Sequence, residues 1–117
     1  MPSFLLLLHS NVDRPKPSSP DEYMAITKTY MAWTDRIRRE GHHQGGQKLT
    51  DDAGKIMRNA GGRVSITDGP YAESKELVGG YFLLVAEDYD EACRLAESCP
   101  HLAFGGRIEV RQIEPMI

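Results

Sequence analysis

Two stretches of the chain are apolar at every position instead of at alternate positions. Residues 4–8 are Phe-Leu-Leu-Leu-Leu, and residues 81–85 are Tyr-Phe-Leu-Leu-Val. A strand with one face in water alternates apolar and polar side chains, whereas a strand covered on both faces does not. We therefore predict two buried strands, at residues 4–9 and 80–86.

A helical repeat follows the first of these strands. Its apolar side chains recur at intervals of three and four residues and predict one buried stripe: Tyr23, Ile26, Tyr30, Trp33 and Ile37. The segment Ser19-Pro20-Asp21-Glu22 is typical of a capping box with proline at the first helical position. Gly41 is expected to end the helix, because glycine readily takes the left-handed conformation of a C-terminal cap.

A second helix is predicted from Asp88 or Asp90 as far as Pro100, which cannot continue a helix. Its buried side is expected to consist of Ala92, Leu95, Ala96 and Cys99. Both cysteines, Cys93 and Cys99, are predicted to be core thiols. Their separation is about 9 Å along a helix, whereas a disulfide needs Cα atoms within roughly 7 Å. Reduced thiols favour a cytoplasmic location.

The remaining apolar segments complete an α+β pattern. Strands are predicted at residues 42–49 and 106–113, and residues 55–58 and 63–67 flank a glycine turn that is typical of a β-hairpin. The order is then β-α-β, an added hairpin, and β-α-β. This order predicts a single domain over residues 1–117 with a ferredoxin-like antiparallel sheet and two helices on one face.

The two continuous apolar strands also predict a partner. Two helices can cover only one face of a four-stranded sheet, so the second face of these strands needs another cover. The simplest cover is the same face of a second copy of the chain. We therefore expect a homodimer.

Composition excludes several classes of partner. The net charge is −3, with 40% hydrophobic and 26% charged residues, as in a soluble globular protein. Arg36, Arg38 and Arg39 cluster, but they lie in the predicted last turn of a helix, where cations complement the helix dipole. We therefore expect no direct contact with nucleic acid. The apolar run at residues 4–8 is too short for a membrane span and lacks the features of a signal peptide, so no membrane association is expected.

The most informative segment is residues 68–76, Asp-Gly-Pro-Tyr-Ala-Glu-Ser-Lys-Glu. Asp, Gly and Pro at its start are typical of a turn. The three charged side chains and the serine hydroxyl that follow are more than a connector requires. Loops on rigid sheets commonly hold binding or catalytic residues.

This segment resembles the signature of the YCII-related superfamily, in particular its DGPF-domain branch, whose pattern is Asp-Gly-Pro-Phe-x-Glu-Ser/Thr-Lys-Glu. The chain departs from that pattern only at Tyr71, where the branch has Phe. The resemblance implies a dimeric α+β barrel. It also implies a regulatory role linked to transcription, because members of this branch resemble domains associated with extracytoplasmic-function sigma factors.

The signature loop allows two interpretations. In one, Asp68 is an acid, a base or a ligand anchor, and Tyr71, Glu73 and Lys75 also contact a ligand. In the other, Asp68 caps the turn while Glu73 and Lys75 form an ion pair. We favour a site role for Asp68 and an ion pair for Glu73 with Lys75.

Histidines are the other candidates for proton transfer near neutral pH. The resemblance implies a His–Asp pair, but no histidine here matches the family's position. His9, at the end of the first strand, and His42 are the candidates for a catalytic partner of Asp68. His43 is expected on the face opposite His42, and His101 is expected to lie in a solvated loop.

No motif for a metal or a cofactor is present. The chain lacks the Cys-x-x-Cys, His-x-x-x-His and HExxH patterns of metal sites and the glycine-rich loop with Lys-Ser/Thr that binds phosphates. We therefore expect no metal and no cofactor.

Two hypotheses for the function follow. The first is a homodimeric domain that binds a small organic ligand or acts as a regulatory module. The second is a cofactor-free enzyme that uses Asp68 and a histidine for acid–base chemistry in a cleft of the dimer. The absence of a matching histidine favours the first.

Overall fold

The computed structural model describes residues 1–69 and 76–116, which form six strands and three helices. The strands are β1 (Ser3–Asn11), β2 (His43–Lys48), β3 (Lys55–Ala60), β4 (Arg63–Asp68), β5 (Glu76–Val85) and β6 (Arg107–Gln112). The helices are α1 (Pro20–Arg39), α2 (Tyr89–Glu97) and α3 (Pro100–Ala103). None of these helices is long and apolar enough to cross a membrane.

The main sheet has the strand order β2-β5-β1-β6, and every neighbouring pair is antiparallel. The order of a ferredoxin-like sheet is thereby confirmed. The two strands predicted to be covered on both faces, β1 and β5, are its central strands. Each of them is hydrogen-bonded on both edges, so their backbone groups are satisfied within the sheet.

The two faces of the sheet have different surroundings. Phe4, Leu6 and Leu8 are buried, and they point towards the helices. Leu5 and Leu7 lie between them on the opposite face and are only half-buried. The strand register places further apolar residues of β5 beside them on this opposite face. We call the resulting central apolar patch the open face, and it consists of Leu5, Leu7, Tyr81, Leu83 and Val85.

The core lies between the sheet and the helices. Its fully buried residues include Leu6, Leu84, Ile37 and Cys99. Trp33 is 4% exposed and packs edge-on against the ring of Phe82, with ring centroids 5.0 Å apart. Since so many large apolar side chains are removed from water in this layer, most of the apolar stabilisation of the protomer comes from it.

Both ends of α1 form as the sequence predicts. Ser19 Oγ accepts a hydrogen bond from the backbone N–H of Glu22 at 3.1 Å. The Glu22 carboxylate closes the cap on Ser18, whose hydroxyl donates at 2.6 Å. At the other end, the N–H groups of Gly41 and His42 donate to the carbonyls of Arg38 and Ile37. This is a Schellman motif, and it requires the positive φ of Gly41, 83°.

Only the second half of the predicted α1 stripe is buried. Trp33 and Ile37 are buried, Ile26 and Tyr30 are half-buried, and Tyr23 is 53% exposed. The prediction of one continuous buried stripe was therefore wrong for Tyr23. The physical reason is that the first turns of α1 border a cleft instead of packing on the sheet.

Removal of the α1 cap has a measurable expected effect. Ser19→Ala should lower the free energy of unfolding by about 1 kcal/mol, because one N–H of the first turn loses its acceptor. Chemical denaturation monitored by circular dichroism measures this loss. Ser19→Asp, which also caps helices, should stay close to the parent, and an unchanged Ser19→Ala variant would contradict the capping role.

Helix α2 begins after Asp88, whose carboxylate accepts from the N–H of Glu91 at 2.9 Å. The prediction that both cysteines lie in the core was half right. Cys99 is 2% exposed, but Cys93 is exposed. Ala92 and Ala96 occupy the inward side of α2, and Cys93, about 100° further around the helix, points away from it.

The predicted hairpin forms a separate two-stranded sheet of β3 and β4. Gly61 and Gly62 both have positive φ, 61° and 84°, as a two-residue turn of type I′ requires. Met57, Val64 and Ile66 share one face of the hairpin and are more than 60% exposed. The hairpin therefore presents apolar side chains to solvent in the protomer.

Candidate functional site

A cleft of about 1200 Å³ lies on the helix side of the sheet. Its walls are the first half of α1, the segment that precedes this helix, and the adjoining ends of β1, β2 and β5. Aromatic residues are prominent in the lining, among them Tyr23, Tyr30 and Phe82. A concave site with aromatic walls and a few polar groups is typical of small-molecule binding.

A hydrogen-bonded chain of Tyr30 and His101 borders this cleft. The Nε2 atom of His101 lies 2.8 Å from the backbone oxygen of His9, and Nδ1 lies 3.2 Å from the Tyr30 hydroxyl. A carbonyl oxygen only accepts, so Nε2 carries a proton and donates it to this bond. In neutral His101, Nδ1 then accepts from the Tyr30 hydroxyl. The Tyr30 oxygen keeps its lone pairs for another donor.

Burial keeps both members of this pair uncharged near neutral pH. It raises the pKa of Tyr30 to about 12, with a smaller rise from Cys99. Burial also lowers the pKa of His101; the hydrogen bond to the His9 carbonyl partly opposes this, and the positive charge of Arg14 adds a smaller lowering. Transfer of a proton from Tyr30 to His101 would create two charges that this environment disfavours. The pair is therefore suited to hydrogen bonding more than to proton transfer.

Charged side chains stand at the rim of the cleft. Lys48 Nζ lies 3.0 Å from Asp51 Oδ1, and Lys16 Nζ lies 3.8 Å from Asp51 Oδ2. The hydrogen bond from Lys48 is the largest cause of a lowered pKa at Asp51. The Nη1 atom of Arg14 is shielded from solvent and has no hydrogen-bond acceptor among the residues that the structure describes.

A β-bulge shapes the floor of the cleft. The pairing of β1 with β5 shifts between Leu8 and His9, so that Gly79 is the extra residue on β5. Gly79 does not have a positive φ, and a Cβ added there would approach only Ser10 Oγ, at 3.9 Å, and the Leu8 oxygen, at 4.0 Å. A larger side chain at Gly79 can therefore occupy the cleft without backbone strain.

A second polar site lies on the opposite face of the sheet. His9 Nε2 is 3.0 Å from Glu109 Oε1, and Arg111 Nη1 is 3.2 Å from the other carboxylate oxygen. The hydrogen bond from His9 is the largest cause of the lowered pKa of Glu109. A cavity of about 830 Å³ beside it is lined by His9, Glu76, Arg107 and residues 48–50 and 52–54 among others. A histidine oriented by a carboxylate can serve as an acid or a base.

Comparison with known proteins gives the family of the chain. A model of the YCII-related domain matches residues 7–117. The chain belongs to the YCII-related family. No curated protein sequence matches this YCII-related chain. The family match does not distinguish branches, so the DGPF assignment stays a prediction from the nine-residue signature.

The fold of this YCII-related domain is similar to that of a solved enzyme. This is 5-chloro-2-hydroxyhydroquinone dehydrochlorinase (TftG) from Burkholderia phenoliruptrix AC1100, in complex with 2,5-dihydroxybenzoquinone. The TM-score is 0.52 with 16% sequence identity, over 96% of this chain and 93% of that chain. At this identity the likeness concerns the fold.

The structure places the predicted site residues of this YCII-related domain apart. Asp68 ends β4 and pairs with Lys55 Nζ at 2.5 Å, and its side chain is 82% exposed. Among residues 1–69 and 76–116, no hydrogen bond joins Asp68 to a histidine, and Asp68 lines neither cavity described above. His42 bonds through Nδ1 to the Val85 oxygen at 2.8 Å. Tyr71, Glu73 and Lys75 lie outside the described residues.

Three residues of the cleft were not predicted as site residues. Tyr30 was assigned to the helix stripe, Arg14 was not singled out, and His101 was expected in solvent. That last prediction was wrong, because His101 is 5% exposed. A Cβ at Gly106 would overlap the His101 ring, so the glycine makes room for the histidine. Gly106, at the start of a predicted strand, was the available signal.

Proposed function

We propose that this YCII-related protein binds a small, planar organic molecule in the helix-side cleft. The observation that carries this proposal is the uncharged Tyr30–His101 pair at an aromatic-lined cavity of about 1200 Å³. Aromatic walls bind a ring through their faces, and the free lone pairs of Tyr30 accept a hydrogen bond from it. Such a pocket is large enough for a single ring with substituents.

The similar fold of TftG supports a ligand of this size. TftG was solved with 2,5-dihydroxybenzoquinone, a six-membered ring with oxygen substituents. A domain of this fold can therefore hold an oxygenated ring. We propose the same size class, but not the same molecule, as the ligand of this chain.

The working unit in this proposal is a homodimer formed through the open face. Residues such as Leu5, Leu7 and Leu83 form an apolar patch that the protomer leaves half-buried. The protomer is also extended, with a radius of gyration of 16.3 Å, whereas about 13 Å is typical of a compact chain of this length. A second copy would cover this patch, as symmetric interfaces do.

A regulatory role in the cytoplasm, linked to transcription, fits a ligand-binding domain, and we propose it from the resemblance of the signature loop. The free thiols of Cys93 and Cys99 support the proposed location.

The alternative is a cofactor-free enzyme. Within the described residues of the protomer, His9 and Glu109 form a histidine–carboxylate pair that can serve acid–base chemistry. Asp68 pairs with Lys55 instead, and a catalytic role for Asp68 would need a histidine partner that the described residues do not supply.

Titration with 2,5-dihydroxybenzoquinone tests ligand binding. In ¹H–¹⁵N NMR spectra, the largest shifts should fall on cleft amides such as those of Gly79, Gly80 and His101. Gly79→Leu should strongly reduce these shifts, because Gly79 lines the cleft and a leucine there takes space from the ligand. Shifts spread over the surface, or binding that is undiminished in Gly79→Leu, would contradict the proposed site.

Gly79→Ala is the matched control. It also replaces the glycine by a residue with a Cβ, but it adds only a methyl group and leaves most of the cleft empty, so it should retain binding. The same samples separate the two functions. Recovery of the quinone unchanged after prolonged incubation supports a binding domain. Its conversion to a new product, lost in His9→Gln, supports the enzyme.

A further inference from the structure

The distribution of charge around the cleft differs from that of the whole chain. Among the described residues that line the cleft, three side chains are cationic and one is a carboxylate: Arg14, Lys16, Lys48 and Asp51. The cleft therefore carries an excess of two positive charges, in a chain with a net charge of −3. A concave site lined by one sign of charge concentrates ligands of the opposite sign.

The cations of the cleft are not equivalent. Lys48 and Lys16 share Asp51. In contrast, Nη1 of Arg14 is shielded from solvent and has no acceptor within residues 1–69 and 76–116. A shielded guanidinium N–H without an acceptor is unfavourable, and such groups in native proteins call for an explanation. Arg14 itself is only half-buried and lines the cleft, so a bound carboxylate or phenolate can offset its charge there.

The other polar groups of the cleft do not oppose an anion. Tyr30, with its raised pKa of about 12, stays uncharged near neutral pH. The Asp51 carboxylate already accepts a hydrogen bond from Lys48. The walls are aromatic on two sides, with Tyr23 and Tyr30 on α1 and Phe82 on the sheet. A ring and an anionic group are therefore accommodated together.

We infer that the cleft selects small aromatic anions, whose charged oxygen atoms pair with the guanidinium of Arg14, a residue that lines the cleft. This inference rests on the proposed binding function and adds the ligand class. It assigns a specificity role to Arg14, a residue that lies in the segment before α1 and outside the signature loop.

Benzoate and benzamide test the charge requirement, because they have nearly the same shape and differ in charge. Isothermal titration calorimetry at low salt should show that benzoate binds at least about tenfold more tightly, as expected for one charge-assisted hydrogen bond. Arg14→Gln should remove this preference. Lys28→Gln deletes one positive charge from an exposed position of α1 outside the cleft, and it should preserve the preference.

Each outcome decides the inference. Equal affinity for the two probes, or a preference for benzoate that Arg14→Gln leaves unchanged, overturns the role of Arg14. Failure of both probes to bind overturns the ligand class. The proposed binding function is judged separately by the quinone titration with Gly79→Leu, so it can stand where this inference fails. Circular dichroism of Arg14→Gln confirms that the loss is not one of folding.

Discussion

Leu6→Asp should leave the protein unfolded, whereas Leu7→Asp, one residue further along β1, should give a folded monomer. Leu6 is 0% exposed and packs in the layer between the sheet and the helices. A carboxylate there would be buried among apolar side chains such as Leu84 and Ile37, and such burial costs several kcal/mol. Domains of this kind are stable by only about 5–15 kcal/mol in total, so the cost of Leu6→Asp can exceed the margin.

Leu7 is on the open face, opposite Tyr81 and Glu109. In a protomer, an aspartate at this position meets water and costs little. In the proposed dimer it would lie between two apolar patches beside the acidic Glu109, and association should be lost. Circular dichroism measures the fold of each variant, and sedimentation velocity at micromolar concentration measures the mass.

The parent should sediment with twice the mass of the chain, and Leu7→Asp with the mass of one. Leu7→Ala serves as a control, since it shortens the side chain without adding a charge and should weaken the dimer less. A parent that sediments as a stable monomer would overturn the dimer proposal. A well-folded Leu6→Asp would show that the assignment of the two faces is wrong.

This pair of variants also shows what the sequence can and cannot predict about the fold. The continuous apolar runs predict two buried strands, and the structure places these strands, β1 and β5, at the centre of the sheet. Because every position in such a run is apolar, the pattern does not show which side chains face the helices. That assignment depends on the register with β6 and on the position of α1, which are set by contacts between distant parts of the chain.

The candidate site shows the same limit more strongly. His9 was a candidate from its position at the end of a strand, but its partner Glu109 lies 100 residues away in the sequence. Tyr30 and His101 are 71 residues apart. No local spacing relates such residues, because the strand order and the short helix α3 bring them together. The signature loop, by contrast, is local and predicts the family, which the match over residues 7–117 confirms.

Trp33→Ala should lower the free energy of unfolding by about 3–5 kcal/mol, the range typical of a large aromatic side chain removed from a core. Trp33 is 4% exposed, and its Nε1 donates to Ser98 Oγ at 3.0 Å. The indole thus joins α1 to the end of α2 as well as packing on the sheet. Its removal leaves a cavity and also takes the Nε1–H donor from Ser98. Urea denaturation measures the loss.

Trp33→Phe separates these two contributions. Phenylalanine keeps most of the packing against Phe82 but cannot donate to Ser98, so its loss should be about 1–2 kcal/mol. Because Phe82 also lines the cleft, the cavity in Trp33→Ala should loosen one cleft wall and weaken quinone binding more than Trp33→Phe does. A loss below 1 kcal/mol in Trp33→Ala, or a parent fluorescence spectrum like that of free indole, would contradict a packed Trp33. Such a result would mean that Trp33 does not couple the stability of the core to the shape of the cleft, although it packs against Phe82, which belongs to both.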